Sequence, residues 1–226
     1  MIPIFLKTKN FEEPPAQLYY LVAANGLFLV KKTALFTSIN PCSGVAGLEP
    51  QQSALALRFG RIPRSIMESV YGFFDWAWRS WSSEAILFLY YSPEKGHLML
   101  DAPPQTIYLY RRAGHWHPEG RVSYETLPRP AGYVKLGDVH SHADLPPFFS
   151  AQDDRDDREE GLKIVMGRLN RELPELAVSF VIGGQHRFAL RPEDAVEDFA
   201  RPMPPPREWV ERFRCEYETT KYLRSQ

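Results

Sequence analysis

The residues of this chain able to do chemistry together are two histidines, a serine and an aspartate. They lie in Gly137-Asp138-Val139-His140-Ser141-His142, followed by seven residues and then Ser150-Ala151-Gln152-Asp153. On an extended strand side chains alternate faces, so His140 and His142 share one side and can converge on a divalent metal. Asp153 completes a set of three ligands, and a catalytic zinc uses such a set with its fourth position open to water. Ser150 precedes the acid by three residues, which puts both on the opening turn of a helix. A lone His-x-His in a strand is commonly a chance pair and a serine there a plain N-cap; the joined pattern carries the metal reading.

The flanking sequence predicts the elements that position these groups. Tyr133–His142 reads as the metal-bearing strand, and Ser150 to about Glu160 as a short helix. Asp153, Asp154, Asp156 and Asp157 fall in its first turns, where carboxylates favour the positive end of the dipole. Pro63–Trp81 reads as an amphipathic helix with Ile66, Val70, Phe73, Phe74, Ala77, Trp78 and Trp81 at three- and four-residue steps. Strands are predicted at Ala85–Tyr91, His97–Leu100, Gln105–Arg111, Arg121–Leu127 and Gly161–Met166, with a hairpin joining Ala177–Ile182 to His186–Leu190. Upstream, Ala23-Ala24-Asn25-Gly26 separates two apolar runs as a hairpin turn does, and Ser53–Phe59 reads as a further strand. A second His-x-His, His115 and His117, sits in what reads as a loop, with no acid at ligand spacing; we take it as surface. Alternating helices and strands indicate an α/β fold. Residues 1–60 form a small β-rich unit, 61–200 the domain with the motif, and 201–226 a proline-rich spacer and a final helix from Arg207 to about Leu223.

The motif resembles that of the JAMM (MPN+) metalloproteases, whose signature is an upstream glutamate, then His-Ser/Thr-His, seven residues, Ser, two residues and Asp. His140, Ser141, His142, Ser150 and Asp153 match it, and the resemblance covers about residues 62–195. That family's glutamate opens a core strand after a long helix, a place that Glu84 fits. Phe148-Phe149-Ser150-Ala151-Gln152-Asp153-Asp154 is similar to bacterial members encoded beside ubiquitin-like proteins and ThiF-like activating enzymes, including the PRTRC protein A group. The resemblance implies a curved mixed β-sheet flanked by helices, and one Zn2+ held by His140, His142 and Asp153. It implies Glu84 as general base and acid, and Ser150 as oxyanion donor. The implied reaction is cleavage after the C-terminus of ubiquitin or a bacterial ubiquitin-like protein, with that protein and its activating and conjugating enzymes as partners. Ser141 faces away from the histidines and is expected to pack or hydrogen-bond in the core. Two other readings remain at this point: a non-catalytic MPN scaffold, which typically lacks these ligands, and a RadC-like nucleic-acid-associated protein.

Bulk properties narrow the classes. The 226 residues carry 27 basic and 28 acidic side chains, which argues against a partner held by a broad cationic surface, nucleic acid above all. No apolar run has the length of a membrane span, and the first residues lack the order of a signal peptide. Cys42 and Cys215 are far apart and suggest neither a disulfide framework nor a zinc knuckle, so the expected compartment is the reducing cytoplasm.

Overall fold

The computed structural model describes residues 2–150, 159–184 and 186–218. The chain divides into two compact units, Met1–Leu55 and Ala56–Gln226. The first is a four-stranded sheet of β1 (Ile4–Leu6), β2 (Leu18–Ala23), β3 (Gly26–Lys32) and β4 (Thr37–Pro41) in sequential order. Ala23 pairs with Gly26, so the two-residue turn is Ala24-Asn25, inside the expected Ala23–Gly26 stretch, and Gly26 opens β3 with a φ of 139° that side chains disfavour. Tyr19, Leu21 and Val30 alternate onto one face and form this unit's small core.

The second unit is a mixed α/β domain. It contains α1 (Arg64–Trp81), β5 (Ile86–Ser92), β6 (His97–Asp101), β7 (Gln105–Arg112), β8 (His115–Tyr124), β9 (Val134–Ser141), β10 (Gly161–Gly167), β11 (Glu175–Ile182), β12 (His186–Leu190) and β13 (Phe213–Glu218). Six strands form a mixed sheet in the order β12-β11-β10-β9-β5-β6, and three form a second sheet in the order β13-β7-β8. Only the β9–β10 contact of the larger sheet is parallel. One face of that sheet presents Leu87, Leu89, Val139, Leu162, Ile164 and Met166 to α1. The helix answers with Met67, Val70, Phe73, Phe74 and Ala77, all fully buried at helical spacing. The opposite face carries Ile86, Phe88 and Tyr90, which pack with Val122 of β8 and with Leu127 and Tyr133.

The end of α1 delivers the chain to β5. Ser82 adopts the left-handed conformation (φ 51°) and donates its backbone N–H to Trp78 O at 2.7 Å, closing the helix and turning the chain sharply. Four residues later, at Ile86, the sheet begins.

Three sequence expectations are corrected. Ser53–Phe59 forms no strand; Leu57 and Phe59 instead lay their rings and branches against the second unit's core. The loop expected at Ala113–Pro118 is a two-residue turn, with Ala113 (φ 50°) and Gly114 (φ 86°), followed by strand β8. Two consecutive positive φ values match the twist of a tight hairpin, so pairing resumes at once with Arg112 opposite His115. Among the described residues the expected final helix is helical at Arg207–Glu211 alone; Phe213–Glu218 is strand β13, parallel to β7, and residues 219–223 lie outside the described residues. The physical reason is readable in Phe213-Arg214-Cys215-Glu216-Tyr217-Glu218, which alternates apolar and polar with period two. The proline-rich stretch before it is docked on α1: Met203 donates its N–H to Glu68 O at 2.9 Å, and Trp209 packs edge-on against Phe73.

The centre of the large sheet tolerates no side chain at Gly137. A Cβ there would lie 1.8 Å from the Leu162 carbonyl oxygen. Gly137→Ala is therefore expected to cost about 3 kcal/mol through forced separation of β9 and β10, read as a lowered denaturation midpoint. Gly44→Ala, where a Cβ meets nothing within 4 Å, is the control, with an expected change within about 0.5 kcal/mol.

Candidate metal and active site

The site is set by the antiparallel register of β5 on β9. Ile86 lies opposite His140, and Leu87 opposite Val139. Ser141 donates its N–H to Ala85 O at 3.0 Å, so the pairing continues one residue further. Followed one more step, it brings Glu84 opposite His142. Residues opposite each other across a strand pair share a face. Glu84, Ile86, Asp138, His140 and His142 therefore lie on the face turned away from α1.

These side chains line one cleft of about 760 Å³, together with Ser150 and with Gly120, Arg121 and Val122 of β8. Four of the five residues singled out in the sequence, Glu84, His140, His142 and Ser150, thus meet in one concavity. The fifth, Asp153, lies outside the described residues, as does most of the helix expected from Ser150 to Glu160. Glu84 is half-buried and His142 is 6% exposed.

The imidazole geometry fits zinc. The ring centres of His140 and His142 are 5.2 Å apart. A zinc–nitrogen bond of about 2.0–2.1 Å sets each ring centre about 3.2 Å from the metal, so two tetrahedrally disposed imidazoles have centres about 5.2 Å apart. Among the described residues no three His, Cys, Asp or Glu side chains gather as a metal cluster; Asp153, the acid at the spacing singled out in the sequence, lies outside them.

Backbone bonds hold His142 in place. His142 donates its N–H to Met166 O at 2.8 Å; beyond it, Leu169 donates to Ala143 O at 2.9 Å and Arg168 to Leu145 O at 2.7 Å. The loop after the motif is thereby stapled along the end of β10. Gly167 permits this approach, since a Cβ would come within 2.4 Å of Leu145 O. The ring of Phe148 stands edge-on to His142 with centres 4.8 Å apart, and Arg187 lies 4.3 Å over Phe149. Those two aromatic contacts anchor the chain immediately before Ser150.

Two buried polar features of this region escaped the sequence reading. Lys163 donates to Asp138 Oδ2 at 2.6 Å in the cleft floor, with side chains 4% and 10% exposed. Asp138, on the histidines' own strand, is thus engaged by a lysine. A lysine inside the apolar run of β10 was the available signal. Gln105 is the second feature: its side chain, 2% exposed, bonds both backbone groups of Ile86. It shares the inward phase of Ile107 and Leu109, so a polar residue at a core position was legible there.

The second His-x-His lies on β8, with both histidines exposed. His117 tilts against Tyr110, and Trp116 packs against Tyr217. No acid joins them in a metal cluster among the described residues.

The buried ion pair yields a stability prediction. Asp138→Ala strips the carboxylate from a buried ammonium and is expected to destabilise by about 3–5 kcal/mol, whereas Asp138→Leu with Lys163→Met restores most of that loss. Chemical denaturation of the two variants and the parent measures it; equal destabilisation in both would contradict the charge argument.

Comparison with known proteins agrees with this geometry. The family described as prokaryotic homologs of the JAB domain matches residues 85–195. The match begins one residue after Glu84 and contains His140, His142, Ser150 and Asp153. No curated protein matches the chain. Residues 85–195 thus form a domain of the JAB/MPN family.

Proposed function

We propose that the protein is a zinc-dependent isopeptidase or peptidase that cleaves after the C-terminus of ubiquitin or a bacterial ubiquitin-like protein. The observation that carries this reading is the convergence of Glu84, His140, His142 and Ser150 on one cleft of a JAB/MPN domain.

His140, His142 and Asp153 would hold the metal: two neutral imidazoles and one carboxylate, a set that leaves net positive charge at the centre. Zinc, when bound, supplies the positive charge that lowers the pKa of a water to about 7. Glu84, on the same face as both imidazoles, takes the proton from the attacking water and returns it to the leaving amine. Ser150 donates its hydroxyl to the oxygen that gains charge as the carbonyl becomes tetrahedral. The hydrophobic Ile86 and Phe148 beside these groups limit water around them and strengthen each polar contact.

Substrate access favours an extended chain. β8 is the outer strand of its sheet, and its residues Gly120, Arg121 and Val122 border the cleft. A flexible C-terminal tail added there as a strand would carry its final peptide bond toward Glu84 and the imidazoles. A ubiquitin-like protein, with its activating and conjugating enzymes, is the partner set this reading implies. Among the described residues no helix is long and apolar enough to cross a membrane; with Cys42 and Cys215 both free thiols, we assign the reaction to the cytoplasm.

Metal content gives the first test. The protein is expected to bind one zinc per chain, and His142→Ala to lose stoichiometric binding while keeping its fold; full zinc occupancy in that variant would overturn the assignment. Activity gives the second. Glu84→Gln should lower turnover of ubiquitin-like fusions by about 10²-fold or more with zinc retained, and Ser150→Ala by about 10²-fold. Turnover should stop on chelation and return with zinc. If Ser150 serves only as a cap, its alanine variant instead loses about 1 kcal/mol of stability with turnover per folded molecule intact.

A further inference from the structure

We infer that Gln105 and Ser141 form a buried clamp that positions Glu84, a role that rests on the isopeptidase reading just proposed. The start of β5 lies where its neighbours give out. β6 pairs with β5 only as far as Phe88, opposite Asp101, so Ile86 has no strand on its outer side. Gln105 fills that place: its Oε1 accepts the Ile86 N–H at 2.9 Å, and its Nε2 donates to Ile86 O at 2.9 Å. A side-chain amide thus stands in for a strand's peptide group.

On the inner side the same substitution occurs at Ala85. Ser141 donates its backbone N–H to Ala85 O, but the Ala85 N–H goes to the Ser141 hydroxyl, at 3.0 Å, in place of a carbonyl. Both N–H groups following Glu84 are therefore satisfied by side chains. A buried N–H without an acceptor costs as much as a lost hydrogen bond, so these two contacts decide whether the segment after Glu84 is rigid. Gln105 is itself anchored away from the site. Its own N–H bonds Arg212 O at 3.1 Å, and β13 pairs with β7 starting at Phe213 opposite Gln105. Ser141 is 0% exposed and sits between the two histidines in sequence, so one tripeptide supplies two imidazoles on one face and the Glu84 restraint on the other.

The clamp predicts separable effects. In Gln105→Met, which keeps the length and removes both amide contacts, the Ile86 amide should exchange with deuterium about tenfold faster or more, since a single hydrogen bond of this kind is lost. Amides at Leu87–Leu89 and zinc affinity should not change. kcat toward a ubiquitin-like fusion should fall by about 10²-fold with KM unaltered, because the misplaced group acts only in the chemical step. In a Glu84→Gln background the same substitution should cost nothing further. Ser141→Ala should speed exchange at Ala85 and lower kcat likewise, and Ser141→Thr, which keeps the hydroxyl, should restore both. Gln105→Leu, which also removes both amide contacts, replaces Gln105→Met if that variant does not fold, with the same expected direction. Unchanged exchange at Ile86, or equal kcat losses with and without Glu84, overturns the clamp. If the zinc-loaded parent cleaves no fusion, the isopeptidase reading falls and exchange alone decides: protection lost at Ile86 supports the clamp, and protection kept overturns it.

Discussion

Everything at this site depends on the pairing of β5 with β9. With Ile86 opposite His140, the pleat brings Glu84 and both imidazoles to one face of the sheet. A slip of one residue would send Glu84 into the face that packs on α1, among Met67, Phe74 and Ala77. The register is held from both sides. Leu87, Leu89 and Val139 lose water contact only in this phase, and Gly137 lets β10 approach so closely that Leu162 O occupies the space of a side chain. Stability and chemistry are thus specified by the same alternation.

Elements outside the paired histidines serve this arrangement. Ser82 ends α1 in a left-handed turn and sets where β5 begins. The bond His142 donates to Met166 O, and those that Leu169 and Arg168 donate to Ala143 O and Leu145 O, fasten the loop that leaves His142. The second sheet closes the cleft from the opposite side, and β13, near the chain's end, ties Gln105 into place. In β8 the register shifts, with Val122 opposite Ile107 but Pro118 opposite Leu109, so Glu119, Gly120 and Arg121 bulge from the edge strand, and Gly120 and Arg121 border the cleft. Bulges of this kind re-aim side chains at the rims of sites.

Much of this was legible in the amino-acid sequence where a local pattern has one physical meaning. The period of α1, the hairpin at Ala23–Gly26, the strand bearing His140 and His142, and the hairpin joining Ala177–Ile182 to His186–Leu190 all appear within a residue or two of where the patterns put them. Ser141 hydrogen-bonds in the core, as its phase between the histidines suggests. What escaped was long-range. The Phe213–Glu218 strand falls in the stretch expected as a final helix after the proline-rich spacer; its partner, β7, lies about a hundred residues away, and pairing at that distance leaves no local mark. Gln105 and the Lys163–Asp138 pair look like isolated polar residues until tertiary contact supplies their partners. Ala113-Gly114 reads as part of a loop because only the structure shows both at positive φ.

The central claim is that His140 and His142 are ligands of a catalytic metal beside Glu84. It is tested most directly by zinc-edge X-ray absorption on the protein loaded with one equivalent of zinc. The account predicts two imidazole nitrogens at about 2.0–2.1 Å, the remaining ligands being oxygen and none sulfur, and loss of one imidazole in His142→Ala. A shell containing sulfur, or one with its imidazoles unaltered in that variant, would contradict it.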